Sequence, residues 1–370
     1  MTTRRLLVLA ALGAVSVLAL AGCASGETPA ATPAAESTVA DPIIVVTSTN
    51  VYGQIAQEIG GEFVEVTSIV TSGTQDPHSY EASAQDQLTV ADADIVVENG
   101  GGYDSFIDGL LEASGSDAHV ITVAEFSHDW PGEDGAAHDH TEEESTAEPE
   151  ATAEPDDHDH DHAHEGEEHA HDDHAHEGEE HAEGDGHDHS GHDHIEGFNE
   201  HVWYDPHTIE HFAEALAEEF AEQRPEDADA FEANAAAFID GIADLEASLA
   251  EIDAAHAGEA VFVTEPVPVY LATAAGLENV TPDAFSEAVE EGQDVPPATL
   301  LEAMNLLADG DVRVVIANAQ TGGAETTQII TDAEGRGIPV IEFTETLPEG
   351  QTYLSWMQEN ITALSDALAE

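Results

Sequence analysis

The sequence contains a tract whose residue types and spacing suit metal binding. Residues 162–182 read HAHEGEEHAHDDHAHEGEEHA, in which a block of twelve residues is followed by a near-copy. Fifteen of the 22 histidines lie between Glu133 and Glu196, many in H-x-H spacing among carboxylates. Neutral imidazoles in this arrangement suit weak, exchangeable capture of zinc, copper or nickel. The candidate accessory, low-affinity ligands are His158, His160, His162, His164, His169, His171, His174, His176 and His181.

Four short phrases outside this tract each offer one further ligand. They are QDPHSYE, NEHVWYDPH, TEPVPVY and FTETLP, and they contain His78, His201, Glu265 and Glu345. We expect these residues near strand ends, where α/β sheets place ligands. Two imidazoles and two carboxylates can complete a four-coordinate site. Each phrase alone is weak, since a single loop histidine is more often surface decoration.

The elements that must position these residues alternate between short β-branched runs and helical patterns. Helical stretches such as Tyr52–Ile59 and Tyr103–Ala113 fall between the runs, which favours βα units and a largely parallel sheet. The predicted strands are Ile43–Thr47, Glu62–Val70, Ala93–Asn99, His119–Val123, Ala260–Thr264, Val312–Ala319 and Pro339–Thr344.

A long helix separates the two groups of strands. Its apolar residues follow steps of seven, four, three, four and three, which gives one continuous stripe. They are Phe231, Phe238, Ile242, Leu245, Leu249 and Ile252. The pattern predicts an α/β protein of two βα lobes bridged by a long backbone helix, with a final helix near Tyr353–Ala369.

The His-rich tract interrupts the first lobe. From Glu133 to His194 there is no Val, Ile, Leu, Met, Phe, Trp, Tyr or Cys, so we predict a disordered insertion that cannot offset its ordering entropy. The predicted organisation is a signal peptide at 1–22, a tether at 23–40, an N-terminal α/β lobe at 41–132, the insert at 133–196, the end of that lobe at 197–225, the linking helix at 226–256 and a C-terminal α/β lobe at 257–370.

The N-terminus has the features of a bacterial lipoprotein signal. Arg4 and Arg5 precede an apolar run and then Leu20-Ala21-Gly22-Cys23, in which the only cysteine stands where a lipobox needs one. We predict lipidation at Cys23, and therefore a protein anchored outside the cell membrane. The alternative is an ordinary cleaved signal with a chance cysteine.

The charge balance excludes one class of function. Five arginines and no lysine face 80 acidic residues, and only 26 of those acids lie between Glu133 and Glu196. A nucleic-acid binder needs a basic footprint, so we predict no nucleic-acid partner. The acidity extends over the whole chain, which repels itself unless salt or bound cations screen it.

The phrases DPHSYE, HVWYDP, VTEPVPVYLATAAGL and FTETLPEGQTYLSWMQENITAL together resemble one family. It is the ZnuA/TroA-like (cluster A-I) family of metal-binding solute receptors of ABC transporters, which capture zinc or manganese. The resemblance runs from about Pro42 to Leu368 and includes VVENGGGYDSFIDGLL and the linking helix; the lipobox also fits it.

The resemblance implies a ligand set. The DPH and HVW histidines of the family ligate the metal, which points to His78 and His201. A third ligand stands five residues before a tyrosine, which points to Glu265. It is often a histidine in zinc receptors and a glutamate in several manganese receptors.

The last ligand of the family is usually an aspartate, and Glu345 holds that place here. This is a departure from the family pattern, because the extra methylene moves the carboxylate. His207, six residues after His201, is an alternative ligand or an outer partner, although a helix-start histidine is more often on the surface.

The resemblance also implies a function. We expect a monomeric, non-enzymatic receptor that delivers its ion to an ABC permease in the membrane, with His78 and His201 engaging from one lobe and Glu265 and Glu345 from the other. The stiff helix should limit hinge closure, and the insert should gather or buffer metal near the mouth. We favour Zn²⁺, and Mn²⁺ is the alternative because oxygen ligands suit it.

Two other classes remain as alternatives. A surface metal buffer or adhesin lipoprotein is compatible with the His-rich tract but needs no ligands split across two lobes. A metallohydrolase is disfavoured, because there is no H-E-x-x-H and four protein ligands would close the site to water.

Overall fold

The computed structural model describes residues 41–132, 195 and 197–370. The predicted signal peptide, the lipidation site at Cys23, the tether, the disordered insertion and its accessory histidines lie outside the described residues. In the part of the chain that is described, no helix is long and apolar enough to cross a bilayer.

Two four-stranded parallel sheets form the framework of the described chain. Their orders are β2-β1-β3-β4 and β6-β5-β7-β8, so each lobe repeats one topology. Every pairing is parallel, as the βα alternation predicts. The strands are β1 (Ile43–Thr49), β2 (Val64–Val70), β3 (Ile95–Glu98), β4 (His119–Thr122), β5 (Ala260–Val263), β6 (Glu278–Asn279), β7 (Val312–Asn318) and β8 (Val340–Phe343).

All seven predicted strands are present, with ends that differ by a few residues. The predicted second strand begins later, because Gly61–Phe63 forms a 3₁₀ turn. β6 was not predicted, since two residues are too short to show a periodic signal. Central strands such as β3 have buried residues on both faces, which explains their continuous β-branched runs.

Helices cover the two sheets. The long α4 begins with Pro206 at its first position and is capped by the side chain of Asp205. The helices are α1 (Asn50–Gly60), α2 (Ala84–Ala91), α3 (Phe106–Ser114), α4 (Pro206–Gln223), α5 (Ala228–His256), α6 (Val269–Ala274), α7 (Asp283–Glu290), α8 (Pro297–Asp309), α9 (Ala324–Arg336) and α10 (Tyr353–Leu368).

The 29-residue helix α5 bridges the lobes and carries the predicted apolar stripe. All six residues of that stripe are buried. At ~1.5 Å per residue the helix extends over roughly 43 Å, long enough to pack against elements of both lobes. Its Phe238 lies against Tyr353 of α10, with ring centroids 5.9 Å apart. One large hydrophobic core therefore includes residues of both lobes, such as Phe212 and Leu364.

Hydrogen bonds also join the lobes beside the core. The side chain of Asn50 donates to Leu347 O at 2.8 Å and accepts from Leu347 N at 3.0 Å. The Tyr204 hydroxyl donates to Thr344 O at 2.7 Å. Both contacts fix the loop that follows β8, which is the loop that carries Glu345.

Asn50→Ala should destabilise the protein, because it removes two hydrogen bonds and leaves both backbone groups of Leu347 without that side-chain partner. We expect a loss of about 1–3 kcal/mol in the free energy of unfolding, measured by urea denaturation. Asn305→Ala, at an exposed position on α8, is the matched control and should change it by less than about 0.5 kcal/mol. Equal effects of the two variants would contradict the role of Asn50.

Candidate metal centre

The loop after β2 presents His78. Asp76 accepts a hydrogen bond from His78 N at 2.9 Å, and its other oxygen accepts from the Ser79 hydroxyl at 2.9 Å. Such side-chain-to-backbone bonds are typical of aspartate in turns, and they fix the backbone of the DPH phrase. The His78 ring packs edge-on against Tyr103, with centroids 4.7 Å apart. The turn therefore fixes the backbone of His78, and Tyr103 packs against its imidazole.

His201 lies buried at the start of a 3₁₀ turn, and its ring orientation is set by Asn199. Asn199 Nδ2 donates to Pro266 O at 3.1 Å, so its Oδ1 is the atom that lies 2.8 Å from His201 Nδ1. A carbonyl oxygen only accepts, so Nδ1 must carry the hydrogen. In the neutral ring, Nε2 then keeps the lone pair that a metal requires.

A glycine-rich loop supports the backbone around His201. Asn99 Nδ2 donates to Glu200 O at 2.9 Å. Gly101 has φ of +70°, and a Cβ there would lie 2.9 Å from a ring carbon of Phe198. Glycine is thus required both by the left-handed backbone and by the close approach of the 198–200 segment. The GGG phrase consequently positions a neighbouring segment.

Glu265 and Glu345 follow β5 and β8, on either side of β7. Because the carboxyl ends of parallel strands share one edge, the two carboxylates meet at the end of β7. Asn318, the last residue of β7, donates from Nδ2 to Glu345 Oε1 at 2.6 Å and to Glu265 Oε2 at 2.9 Å. Thr321 also donates to Glu265, and Tyr103 donates to Glu345 at 3.3 Å.

Three of the four predicted ligands come together. Among the described residues, ligand atoms of His78, His201 and Glu345 lie within 4.8 Å of one another. Glu265 is not in that group, although the Asn318 amide links it to Glu345. His207 belongs to a different cluster, with Glu210 and Glu246, so the structure does not support it as the completing ligand.

The structure also adds two carboxylates that the sequence interpretation missed. His78, Glu200 and Glu290 form an overlapping group within the same 4.8 Å limit. Glu290, at the end of α7, places Oε1 3.6 Å from His201 Nε2. Glu200 directly precedes His201 in the sequence, and this position could have identified it as a candidate ligand. Glu290 lies in the acidic run VEEGQD, where no local signal distinguishes one carboxylate from another.

Burial raises the pKa of these carboxyl groups. Desolvation, partly opposed by the Asn318 hydrogen bond and reinforced by the Glu265 charge, raises the pKa of Glu345 to about 8. Desolvation and then the Glu200 charge raise the pKa of Glu290. Desolvation raises that of Glu265 against hydrogen bonds from Thr321 and Asn318. Such a cluster favours a bound cation, because the cation would stabilise the ionised forms.

The fold and these side chains define a class of metal-binding receptor, and comparison with known proteins identifies the family. The model of the ZnuA family, the periplasmic component A of zinc-uptake complexes, matches residues 45–367. The chain belongs to this family, which confirms the resemblance seen in the sequence.

Particular relatives differ in their metal. The chain is 21% identical over 362 residues to the manganese-binding lipoprotein MntA of Halalkalibacterium halodurans, with 96% of each chain covered. It is 25% identical over 336 residues to the zinc-binding lipoprotein AdcA of Streptococcus pneumoniae, covering 87% of this chain and 54% of AdcA. A crystal structure of ZnuA has a TM-score of 0.58 at 18% identity, covering 88% of this chain and 98% of that one, which shows a shared fold.

Glu345→Gln should stabilise the metal-free protein at alkaline pH. Because the folded pKa of about 8 lies above the ordinary value of 4.5, folding loses stability as pH rises from about 4.5 through 8. Glutamine removes this loss, so the free-energy difference between variant and wild type should widen over that window to the order of a few kcal/mol. Denaturant unfolding in a chelating buffer measures it.

Glu349→Gln, an exposed position in the same loop, provides the control and should show little pH-dependent difference. If the difference in the free energy of unfolding between Glu345→Gln and the wild type stays constant from pH 4.5 to 9, burial does not raise the pKa of this carboxyl group.

Proposed function

We propose that this protein is an extracytoplasmic receptor that binds one divalent transition metal ion and delivers it to an ABC permease. Zn²⁺ is the ion that we favour. The observation that carries the proposal is the convergence of His78, His201 and Glu345 within 4.8 Å. Glu265, joined to Glu345 through Asn318, is the proposed fourth ligand. Two imidazoles and two carboxylates are a set that zinc accepts.

In this proposal, ligands from both lobes capture the ion. The imidazoles come from the N-terminal lobe and the carboxylates from the C-terminal lobe, so binding joins the two. The bridging helix and the bonds of Asn50 to Leu347 favour a small adjustment over a wide hinge closure. The loaded face would then dock on the permease, and we expect the receptor to act as a monomer without enzymatic activity.

The names of the relatives support the localisation. MntA and AdcA are both lipoproteins, which fits lipidation at Cys23 and anchoring to the outer face of the membrane. We further propose that the histidines of the 133–196 tract gather metal weakly near the mouth. Its fifteen imidazoles suit capture at many weak positions better than one selective site.

Manganese is the second candidate cargo. Glu200 and Glu290 bring additional carboxylates to the cluster. Oxygen-rich ligand sets suit manganese, whereas zinc favours nitrogen and sulfur. The relatives include both a manganese-binding and a zinc-binding lipoprotein, so their names do not separate the two ions.

Substitution of the two histidines should abolish tight zinc binding. In a chain lacking residues 133–194, which removes the fifteen tract histidines, His78→Ala with His201→Ala should lower affinity by more than the roughly 10–100-fold typical of losing an outer partner. Competition with a chromophoric chelator measures this. His119→Ala, whose side chain is 60% exposed and pairs with Glu219, is the control and should bind as the parent does.

Loss of tight one-site binding on deletion of 133–194 alone would instead move the site to the tract. Growth in chelated medium separates a receptor from a surface buffer or adhesin. Cells lacking the gene should recover with the wild-type chain and not with the double histidine variant; recovery with both would argue against an uptake role.

Glu290→Gln should distinguish the two cargoes. If the Glu290 carboxylate ligates a manganese ion, the variant should lose Mn²⁺ affinity by about tenfold or more and lose little Zn²⁺ affinity. Competition titrations with both ions measure the ratio. Glu291→Gln, at the exposed neighbouring position, is the control. If the ratio of Zn²⁺ to Mn²⁺ affinity is the same in Glu290→Gln as in the parent chain, the Glu290 carboxylate does not determine manganese binding.

A further inference from the structure

A second cluster of nitrogen and oxygen ligands lies on the surface formed by α4 and α5. Ligand atoms of His207, Glu210 and Glu246 are within 4.8 Å of one another. His211 lies outside this group but adjoins His207, with its ring centroid 4.6 Å from that of His207. His207 and His211 are four residues apart on α4, the spacing that puts two histidines on one face of a zinc-binding helix. We call these four residues the α4–α5 cluster.

The spacing of the two imidazoles matches one metal ion. His207 Nε2 and His211 Nε2 lie 3.3 Å apart, at hydrogen-bond distance in the metal-free protein. Two nitrogens bound to one tetrahedral zinc at about 2.05 Å are separated by about 3.3 Å. The backbone of His207 is held in place because its N–H donates to Asp205, the cap of α4, at 3.2 Å. The two imidazoles are therefore spaced so that each could give one nitrogen to the same ion.

The outer nitrogen of His211 faces an acid of its own. His211 Nδ1 lies 3.5 Å from a carboxylate oxygen of Glu214, one turn further along α4. A carboxylate beside the non-ligating nitrogen orients a metal-binding histidine and increases its basicity. Nδ1 facing Glu214 leaves Nε2 as the nitrogen directed to His207.

The two glutamates supply oxygen ligands beside His207, and they supply the negative charge. Glu210 comes from α4 and Glu246 from α5, so the cluster joins two helices. Partial desolvation, and then the charge of Glu210, raises the pKa of Glu246, while His207 opposes the shift. A cation between the two carboxylates would offset their repulsion. His207 and Glu246 are exposed, so the cluster is open to solvent.

We infer that the α4–α5 cluster is a second metal site, which binds Zn²⁺ through His207, Glu210 and Glu246, with His211, next to His207, as an additional nitrogen ligand. Its residues are different from those that meet in the cleft between the lobes. A bound ion there would fasten α4, which leads from the His201 segment, to the bridging helix α5.

Hydrogen–deuterium exchange of the full-length chain tests this inference with peptide resolution. In the wild type, ZnCl₂ should slow amide exchange in α4 (Pro206–Gln223) and in the segment of α5 around Glu246. His207→Ala with His211→Ala should remove that protection and lower zinc uptake by one equivalent in equilibrium dialysis. His119→Ala with His256→Ala is the control, since those histidines also lie beside acids, Glu219 and Glu259.

The outcomes separate the two sites. The control should keep both the α4–α5 protection and the full zinc uptake, and zinc protection of peptides containing His78 and His201 should persist in both double variants. Circular dichroism without zinc should show an unchanged fold in each. Zinc protection of α4 and α5 that survives in His207→Ala/His211→Ala, or is absent from the wild type, would overturn the second site. If zinc slows exchange in α4 and α5 but not in the peptides that contain His78 and His201, the result would instead contradict the proposed metal site in the cleft.

Discussion

The structure depends on holding carboxylates of like charge together in a buried crevice. Glu265 and Glu345 share a single amide of Asn318, and Glu290 lies against His201 in the same cluster. Burial opposes their ionisation, and neutral donors such as Asn318 supply only part of the stabilisation that water would. An arrangement of this kind costs stability in the metal-free protein, and a divalent cation is the natural way to recover it.

The rest of the fold supplies the rigidity that this constraint demands. Parallel strands bring the carboxylates to one edge of the second sheet, and the repeated topology of the first sheet brings the DPH loop to meet them. Asn199 illustrates the economy of the connection. The Oδ1 of its side chain lies beside the His201 ring, and its Nδ2 donates to Pro266, the residue after Glu265. Its backbone carbonyl accepts from the Tyr270 hydroxyl at 2.9 Å. One residue thus contacts both lobes beside the crevice.

Much of the architecture could be predicted from the sequence, because buried parallel strands and a helix with one apolar stripe leave strong periodic patterns. Short phrases identified His78, His201 and Glu345, which the structure brings together. The supporting residues could not be found in that way. Asn318 and Asn199 are polar residues at a strand end and in a loop, where their types are ordinary. Glu290 depends on how α7 packs, and His207 acquires its neighbours only when α4 meets α5.

The loop after β8 has a consequence for how an ion would leave. Gln320 Oε1 accepts from Glu345 N at 2.6 Å and Thr346 N at 3.0 Å, while Asn50 and Tyr204 grip the same loop from the other lobe. The backbone that carries the Glu345 side chain is therefore held from both lobes. Release of an ion would then require a movement of the two lobes as well as a change in coordination. A surface that binds both lobes and separates them could supply that movement.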